Sequence, residues 1–129
     1  MAVAVAMLFA GRPVLAHHSF AAEFDANKPV KLTGTVTKIE WMNPHAYFYI
    51  DVKDGSGNVT SWGLEMGSPN GLMRQGWTRN SLKIGDEVTV EGSMAKDGSR
   101  IANARSVTLS GGQKLFAASS QPGPDSGEK

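Results

Sequence analysis

Short runs in which apolar and polar side chains alternate constrain this chain more than any other feature. Five such runs lie between residues 30 and 109, separated by clusters rich in glycine, asparagine and aspartate. A period of two is typical of strands that bury one face, and the clusters are typical of turns. The sequence therefore predicts an all-β domain, with strands over residues 30–41, 46–53, 59–66, 87–92 and 100–109.

The first run changes its alternation part-way along. Val30 and Val36 share one parity, whereas Ile39 and Trp41 share the other. A change of parity within a continuous β-like run is typical of a bulge or a strong bend. We expect this irregularity within residues 34–38.

A short helix is predicted between the third and fourth strands. Ser68 is a good N-cap, Pro69 suits the first helical position, and Gly76 follows soon after. Three strands, a helix and two strands is the element order of an OB-fold. The sequence thus predicts a small five-stranded OB-fold-like barrel, and a β-sandwich is the alternative.

Residues 1–16 have the character of a secretory signal. The apolar run at 2–10 is too short to span a bilayer, and Val14 and Ala16 suit positions −3 and −1 of a cleavage site. A short buried N-terminal helix is the alternative. No later segment is apolar enough to cross a membrane. We therefore expect a bacterial protein that is periplasmic or secreted, divided into a signal (1–16), an N-terminal arm (17–29), the OB-like β-barrel domain (30–116) and a disordered tail (117–129).

Charge and cysteine content exclude several classes of function. Among charged side chains, removing residues 1–16 takes away only that of Arg12, which leaves 12 basic and 12 acidic side chains. Nucleic-acid-binding proteins usually carry a basic surface, so no nucleic-acid partner is predicted. The chain has no cysteine, which rules out disulfides, thiolate metal sites and a cysteine nucleophile.

Four segments of the chain carry a recognisable pattern, which includes the motifs HHSF and NPH. The segments are HHSFAAEFD, LTGTVTKIEWMNPHAYFYIDVKD, SWGLEMGSPNGLMRQGW and KIGDEVTVEGSMAKDGS. They resemble a family of exported bacterial proteins described only as a domain of unknown function, and the similarity covers nearly all of residues 16–115. The resemblance implies an exported small β-domain and supplies no function.

The three histidines are the candidate metal ligands. Cleavage after Ala16 makes His17 the first residue, so that its α-amine, which titrates at about 7.7–8.0, and its imidazole can chelate one ion. A further imidazole, from His18 or His45, completes a nitrogen site suited to Cu(II). Cleavage one residue earlier places His18 third in the chain, which also favours Cu(II). The alternative is that His17 and His18 form only a disordered polar start of the mature chain and that His45 is an ordinary turn residue.

Aromatic residues offer a second candidate site. Tyr47 and Tyr49 lie at the parity opposite to the apolar residues of their strand, so we expect them to face away from the core. With Trp41 they are the candidate ligand-binding residues, since OB-folds use aromatic side chains to stack ligands. Trp62, in contrast, shares its parity with Leu64 and is expected to pack inside.

The sequence favours a periplasmic metal-binding protein for copper handling or delivery. The alternative is a non-catalytic OB-type module that binds a small ligand or a protein through the aromatic strand face, and an oxidising copper enzyme ranks third. No catalytic residues are predicted. A periplasmic protein partner is compatible with either of the first two hypotheses. Further oxygen or thioether ligand candidates are Glu23, Asp25, Glu40, Glu65, Met42, Met66, Met73 and Met94.

Overall fold

A computed structural model describes residues 20–118, apart from the side chain of Ala21. The predicted signal, His17, His18 and most of the predicted tail lie outside these residues. The elements are α1 (Phe20–Glu23), β1 (Phe24–Glu40), β2 (Tyr47–Lys53), β3 (Val59–Glu65), α2 (Pro69–Arg74), β4 (Glu87–Ala95), β5 (Ile101–Thr108) and β6 (Lys114–Phe116).

The strands form one sheet that closes in a ring. Neighbouring strands follow the order β3-β2-β1-β4-β5-β6, and an additional parallel pairing joins β3 to β5. The ring therefore consists of β1 to β5, with α2 between β3 and β4. This arrangement confirms the predicted all-β, OB-fold-like class.

β1 is longer than the sequence predicts. It begins at Phe24, six residues before the predicted start, because Phe24 pairs with Ala95 ahead of a register shift between Asp25 and Pro29. A second shift lies between Val36 and Lys38, within the predicted range. The predicted bulge is therefore confirmed, and it allows β1 to pair with β2 along one half and with β4 along the other.

The helix α2 begins as predicted. The Oγ atom of Ser68 accepts a hydrogen bond of 3.1 Å from the Gly71 amide, and Pro69 occupies the first turn, where a missing amide hydrogen costs little. The helix ends before Gly76, whose φ of 101° favours glycine.

The core lies inside the ring, and its strand residues are mainly those that the alternation of apolar and polar residues predicts to be buried. Trp41 and Trp62 are partly buried and pack against this core. The core is built mainly from Leu32, Val36, Ala46, Phe48, Ile50, Leu64, Met66, Leu72, Trp77, Val88, Val90 and Val107.

A sixth strand, absent from the sequence-based prediction, extends the sheet beyond β5. The chain turns between Leu109 and Gln113, and β6 then pairs antiparallel with β5. With three residues it is too short to show a period. Ala117 and Ala118, at the start of the predicted tail, are buried. Among residues 20–118, no helix is long and apolar enough to cross a membrane.

Candidate functional site

The β1–β2 connection holds His45 against the end of β3. The Ala46 amide donates to the Gly67 carbonyl at 2.9 Å, and the Met66 amide donates to the Ala46 carbonyl at 2.8 Å. Ala46 and Met66 are both fully buried. The backbone that carries the imidazole is therefore fixed on the core.

The His45 ring is oriented by a hydrogen bond to the backbone. Its Nδ1 atom lies 3.1 Å from the Met66 carbonyl oxygen, which can only accept, so Nδ1 carries the hydrogen and donates. In the neutral ring the lone pair is then on Nε2. The side chain is 35% exposed, so a half-buried ring combines a fixed tautomer with access from outside.

Tyr47 and Glu65 form a pair directly beside this histidine. They are opposite one another in the β2–β3 ladder, and the Tyr47 hydroxyl donates to Glu65 Oε2 at 3.0 Å. The other carboxylate oxygen, Oε1, lies 3.7 Å from His45 Nδ1. The three side chains therefore form a continuous cluster, which we call the His45–Glu65–Tyr47 cluster.

Burial shapes the chemistry of this cluster. The Glu65 side chain is only 12% exposed, and a buried carboxylate needs hydrogen-bond donors to offset its lost hydration. Burial raises the pKa of the Tyr47 hydroxyl, and the negative charge of Glu65 raises that pKa further. Tyr47 therefore remains a protonated donor to Glu65.

A cleft of about 440 Å³ opens beside Tyr47 and Glu65. The N-terminal helix forms one wall, and it is attached there because the Lys96 amide donates to the Glu23 carbonyl at 2.9 Å. The described chain thus begins at the same edge as the cluster. Lining residues of this Tyr47 cleft include Glu23, Phe24, Tyr47, Glu65, Asp97 and Ile101.

Tyr49 lies on the same strand face but has contacts within the protein. Lys38 Nζ lies 5.4 Å from the centre of its ring, and a Cβ built on Gly63 would lie 3.3 Å from its Cε1 atom. Burial raises the pKa of Tyr49, and the charge of Glu40 adds to this effect. The Lys38 ammonium, 2.9 Å from Glu40, lowers the pKa of that carboxyl. Tyr49 therefore contributes to packing across three strands.

Some of the predicted ligand candidates lie close together in the described residues: His45 lies beside Glu65, Glu23 lines the same cleft as Glu65, and Asp25 pairs with Met94 across β1 and β4. Met42 and Met73 are exposed, and Met66 lies in the core. Among residues 20–118, no group of three or more histidine, cysteine, aspartate or glutamate side chains is placed to hold a metal ion. Of the three histidines, only His45 is described.

Comparison with known proteins supplies a family. A family model described as "Family of unknown function (DUF6152)" matches residues 5–104. The chain belongs to this family. A search of curated proteins gives no match. The DUF6152 match spans all three histidines and the Tyr47–Glu65 pair, and the family's description assigns no function to any of them.

In this DUF6152 member, the pairing of Glu65 with Tyr47 is the feature that sequence reasoning missed. From the sequence alone, Glu65 is one of several isolated carboxylate candidates. The hairpin loop contains the signal: Asp54 and Asn58 close it, and counting seven residues outward in both directions brings Tyr47 opposite Glu65. A regular antiparallel hairpin fixes such pairs once its turn is known.

Proposed function

We propose that the mature protein binds one Cu(II) ion through the α-amine and imidazole of His17 together with Nε2 of His45, and that it handles or delivers copper outside the cytoplasm. The observation that carries the proposal is the hydrogen bond from His45 Nδ1 to the Met66 carbonyl. Histidines that bind metals through one ring nitrogen characteristically donate a hydrogen bond from the N–H of the other to a carbonyl or a carboxylate.

The position of the described N-terminus supports the choice of His45 as the further ligand. The helix α1 borders the Tyr47 cleft, and Glu23 is close enough to Tyr47 for its charge to raise the pKa of the hydroxyl. His17 precedes Phe20 by three residues, which span at most about 10 Å of extended chain. The described part of the arm thus borders the cleft that Tyr47 and Glu65 line, and Glu65 in turn lies beside His45.

The donor set supports copper in particular. An amine and two imidazoles supply three nitrogens, and nitrogen ligands in a tetragonal arrangement suit Cu(II), which also leads the affinity order of the divalent metals. The signal-like character of residues 1–16 supports a location outside the cytoplasm, most simply a periplasm, and release of the His17 α-amine there.

The first test is a Cu(II) titration of mature protein made with its own signal and purified from a periplasm. Intact mass gives the N-terminal residue, and electron paramagnetic resonance reports the nitrogen ligands. We expect one tightly bound equivalent. His45→Ala should weaken binding by at least about 100-fold, because losing a ligand costs more than losing an outer partner, which costs about 10–100-fold.

Two further variants separate the proposed site from a local chelate. A Gly-Ser-Pro-Ser extension before His17 removes the α-amine from that residue and should weaken binding as strongly as His45→Ala. The matched control His18→Ala should bind copper like the wild type. Binding that is lost in His18→Ala and kept in His45→Ala would overturn the proposal, and so would weak binding of several equivalents.

A second candidate function is favoured by the Tyr47 cleft. Phe24, Tyr47 and Ile101 give it an apolar wall, and Glu65 and Asp97 add polar groups, which is the composition of small-ligand sites. A non-catalytic module of this kind would retain its ligand after replacement of all three histidines. The packing of Tyr49 within the protein restricts this alternative to Tyr47 and the cleft, without the wider aromatic face.

A further inference from the structure

The Glu65 carboxylate, at the end of β3, lies against two side chains at or just before the start of β2, those of Tyr47 and His45. Its Oε2 atom accepts the Tyr47 hydroxyl at 3.0 Å, and its Oε1 atom lies 3.7 Å from His45 Nδ1. The donated hydrogen bond and the β2–β3 ladder both restrict where the carboxylate can point. Oε1 is therefore held on the Nδ1 side of the imidazole.

Two acceptors consequently face the same ring nitrogen. The Met66 carbonyl and the Glu65 carboxylate both favour the tautomer with hydrogen on Nδ1. When Nε2 binds a cation, the Nδ1 hydrogen becomes more positive, and a nearby carboxylate stabilises that charge more strongly than a neutral group does. The low exposure of Glu65 limits screening by water and strengthens the effect.

We propose that Glu65 and Tyr47 are positioning residues for the copper site, with Glu65 increasing the ligand strength of His45 and Tyr47 holding Glu65 in place. This inference rests on the proposed function. Neither residue is itself a copper ligand in this proposal, because the Tyr47 hydroxyl donates its hydrogen to Glu65 and Glu65 lies on the Nδ1 side of the His45 imidazole. Their contribution to the site is transmitted through His45.

A structural role alone predicts a different pattern of effects. Cross-strand pairs such as Tyr47–Glu65 stabilise a sheet whether or not a metal binds nearby. A merely structural pair would change the stability of the protein and leave copper affinity unaltered in variants that remain folded. A positioning pair changes copper affinity, and it does so only while His45 is present.

The experiment is a copper competition titration of the mature full chain in a double-mutant cycle. Glu65→Gln keeps the size of the side chain and removes its charge, and Tyr47→Phe keeps the ring and removes the hydroxyl. Each is made in the wild-type and the His45→Ala backgrounds, and circular dichroism confirms that each variant is folded. Matched controls are Glu91→Gln, which removes a carboxylate paired with Lys114, and Tyr49→Phe, which removes the hydroxyl beside Glu40.

We expect Glu65→Gln to weaken copper binding by about 10–100-fold, the usual range for loss of a residue that contacts a metal ligand. Tyr47→Phe should have a smaller effect, about 3–10-fold, because Tyr47 acts only through Glu65. Both effects should vanish in the His45→Ala background, and Glu65→Gln should also alter the nitrogen hyperfine structure of the resonance spectrum. Both controls should bind like the wild type. If Glu65→Gln fails to fold, Tyr47→Phe alone decides by the same criteria.

The two proposals fail in different ways. If the wild type binds no copper in a His45-dependent manner, the proposed function is wrong. If its binding depends on His45 but the Glu65 and Tyr47 variants bind like the wild type, only the positioning role is wrong. Equal weakening in both backgrounds would also overturn that role, since the effect would then bypass His45.

Discussion

Gly92→Ala is expected to lower the free energy of unfolding by about 3 kcal/mol or more, at the upper end of the range for overpacked sites. A Cβ at Gly92 would overlap the carbonyl oxygen of Asn103 and lie 3.2 Å from the Cα of Ala104. Both obstacles are backbone atoms, so a change of rotamer cannot relieve the overlap. Either strand would have to shift.

The sheet leaves little room for such a shift. Gly92 pairs with Val30 of β1 on one side and with Ala104 of β5 on the other. The register shifts between Glu91 and Gly92, and the carbonyl of the extra residue, Arg105, accepts the Ala117 amide at 2.7 Å. Moving β5 away would therefore disturb β6 as well, and moving β4 would disturb β1.

Urea denaturation followed by tryptophan fluorescence measures the effect. A domain of this size is typically stable by about 5–15 kcal/mol, so the loss is a large fraction of the total and lowers the melting temperature by about 12 °C or more. The control is Gly55→Ala, where the added Cβ meets nothing within 4 Å. It should stay within about 0.5 kcal/mol of the wild type. A loss below about 1 kcal/mol for Gly92→Ala would contradict the close approach of β4 and β5.

Alternation of residue type predicted most of the fold because the ring has one buried face. The positions of Phe48 and Ile50 in the core follow directly from their parity, as does the bulge between Val36 and Lys38. The pairing of Phe24 with Ala95 has no such signal, because the polar residues between Asp25 and Pro29 interrupt the period. Strand ends set by pairing partners far along the chain are not visible in a local pattern.

The candidate site was only partly predictable for a related reason. The sequence names His45 because a further imidazole completes the nitrogen site that begins with His17, and the outward parity of Tyr47 marks its strand face. The contact of His45 with the Met66 carbonyl depends on how the β1–β2 connection meets the end of β3. No periodicity encodes such a contact between a turn and a strand end, so the sequence could name the residue but not its orientation.

The architecture also explains why His45 can combine exposure with a fixed orientation. The Gly67 amide, one residue beyond the carbonyl that accepts from His45, donates to the Ala117 carbonyl at 2.9 Å. Ala117 follows β6, and β6 is attached to the segment after α2 through Trp77, whose Nε1 donates to the Phe116 carbonyl at 2.8 Å. A continuous series of hydrogen bonds thus connects the buried tryptophan to the backbone that orients the imidazole.

Trp77→Ala is accordingly expected to lower the free energy of unfolding by about 3–5 kcal/mol, the usual cost of truncating a buried aromatic side chain. Trp77 is almost completely buried, and its amide also donates to the Leu72 carbonyl at the end of α2. Trp77→Phe keeps most of the volume and should cost about 1–3 kcal/mol, because the Phe116 carbonyl loses its donor. Urea denaturation followed by circular dichroism measures both changes.

The Trp77→Phe variant also tests whether the series of hydrogen bonds reaches the site. Amide hydrogen exchange at Gly67 should become faster in this variant, because local opening requires less free energy once β6 is held less firmly. Trp41→Phe is the matched control, a tryptophan that is only partly buried, and it should leave Gly67 exchange unchanged. Unchanged exchange at Gly67 in Trp77→Phe would mean that the end of β3 is held independently of β6, and that the orientation of His45 does not depend on this series of hydrogen bonds.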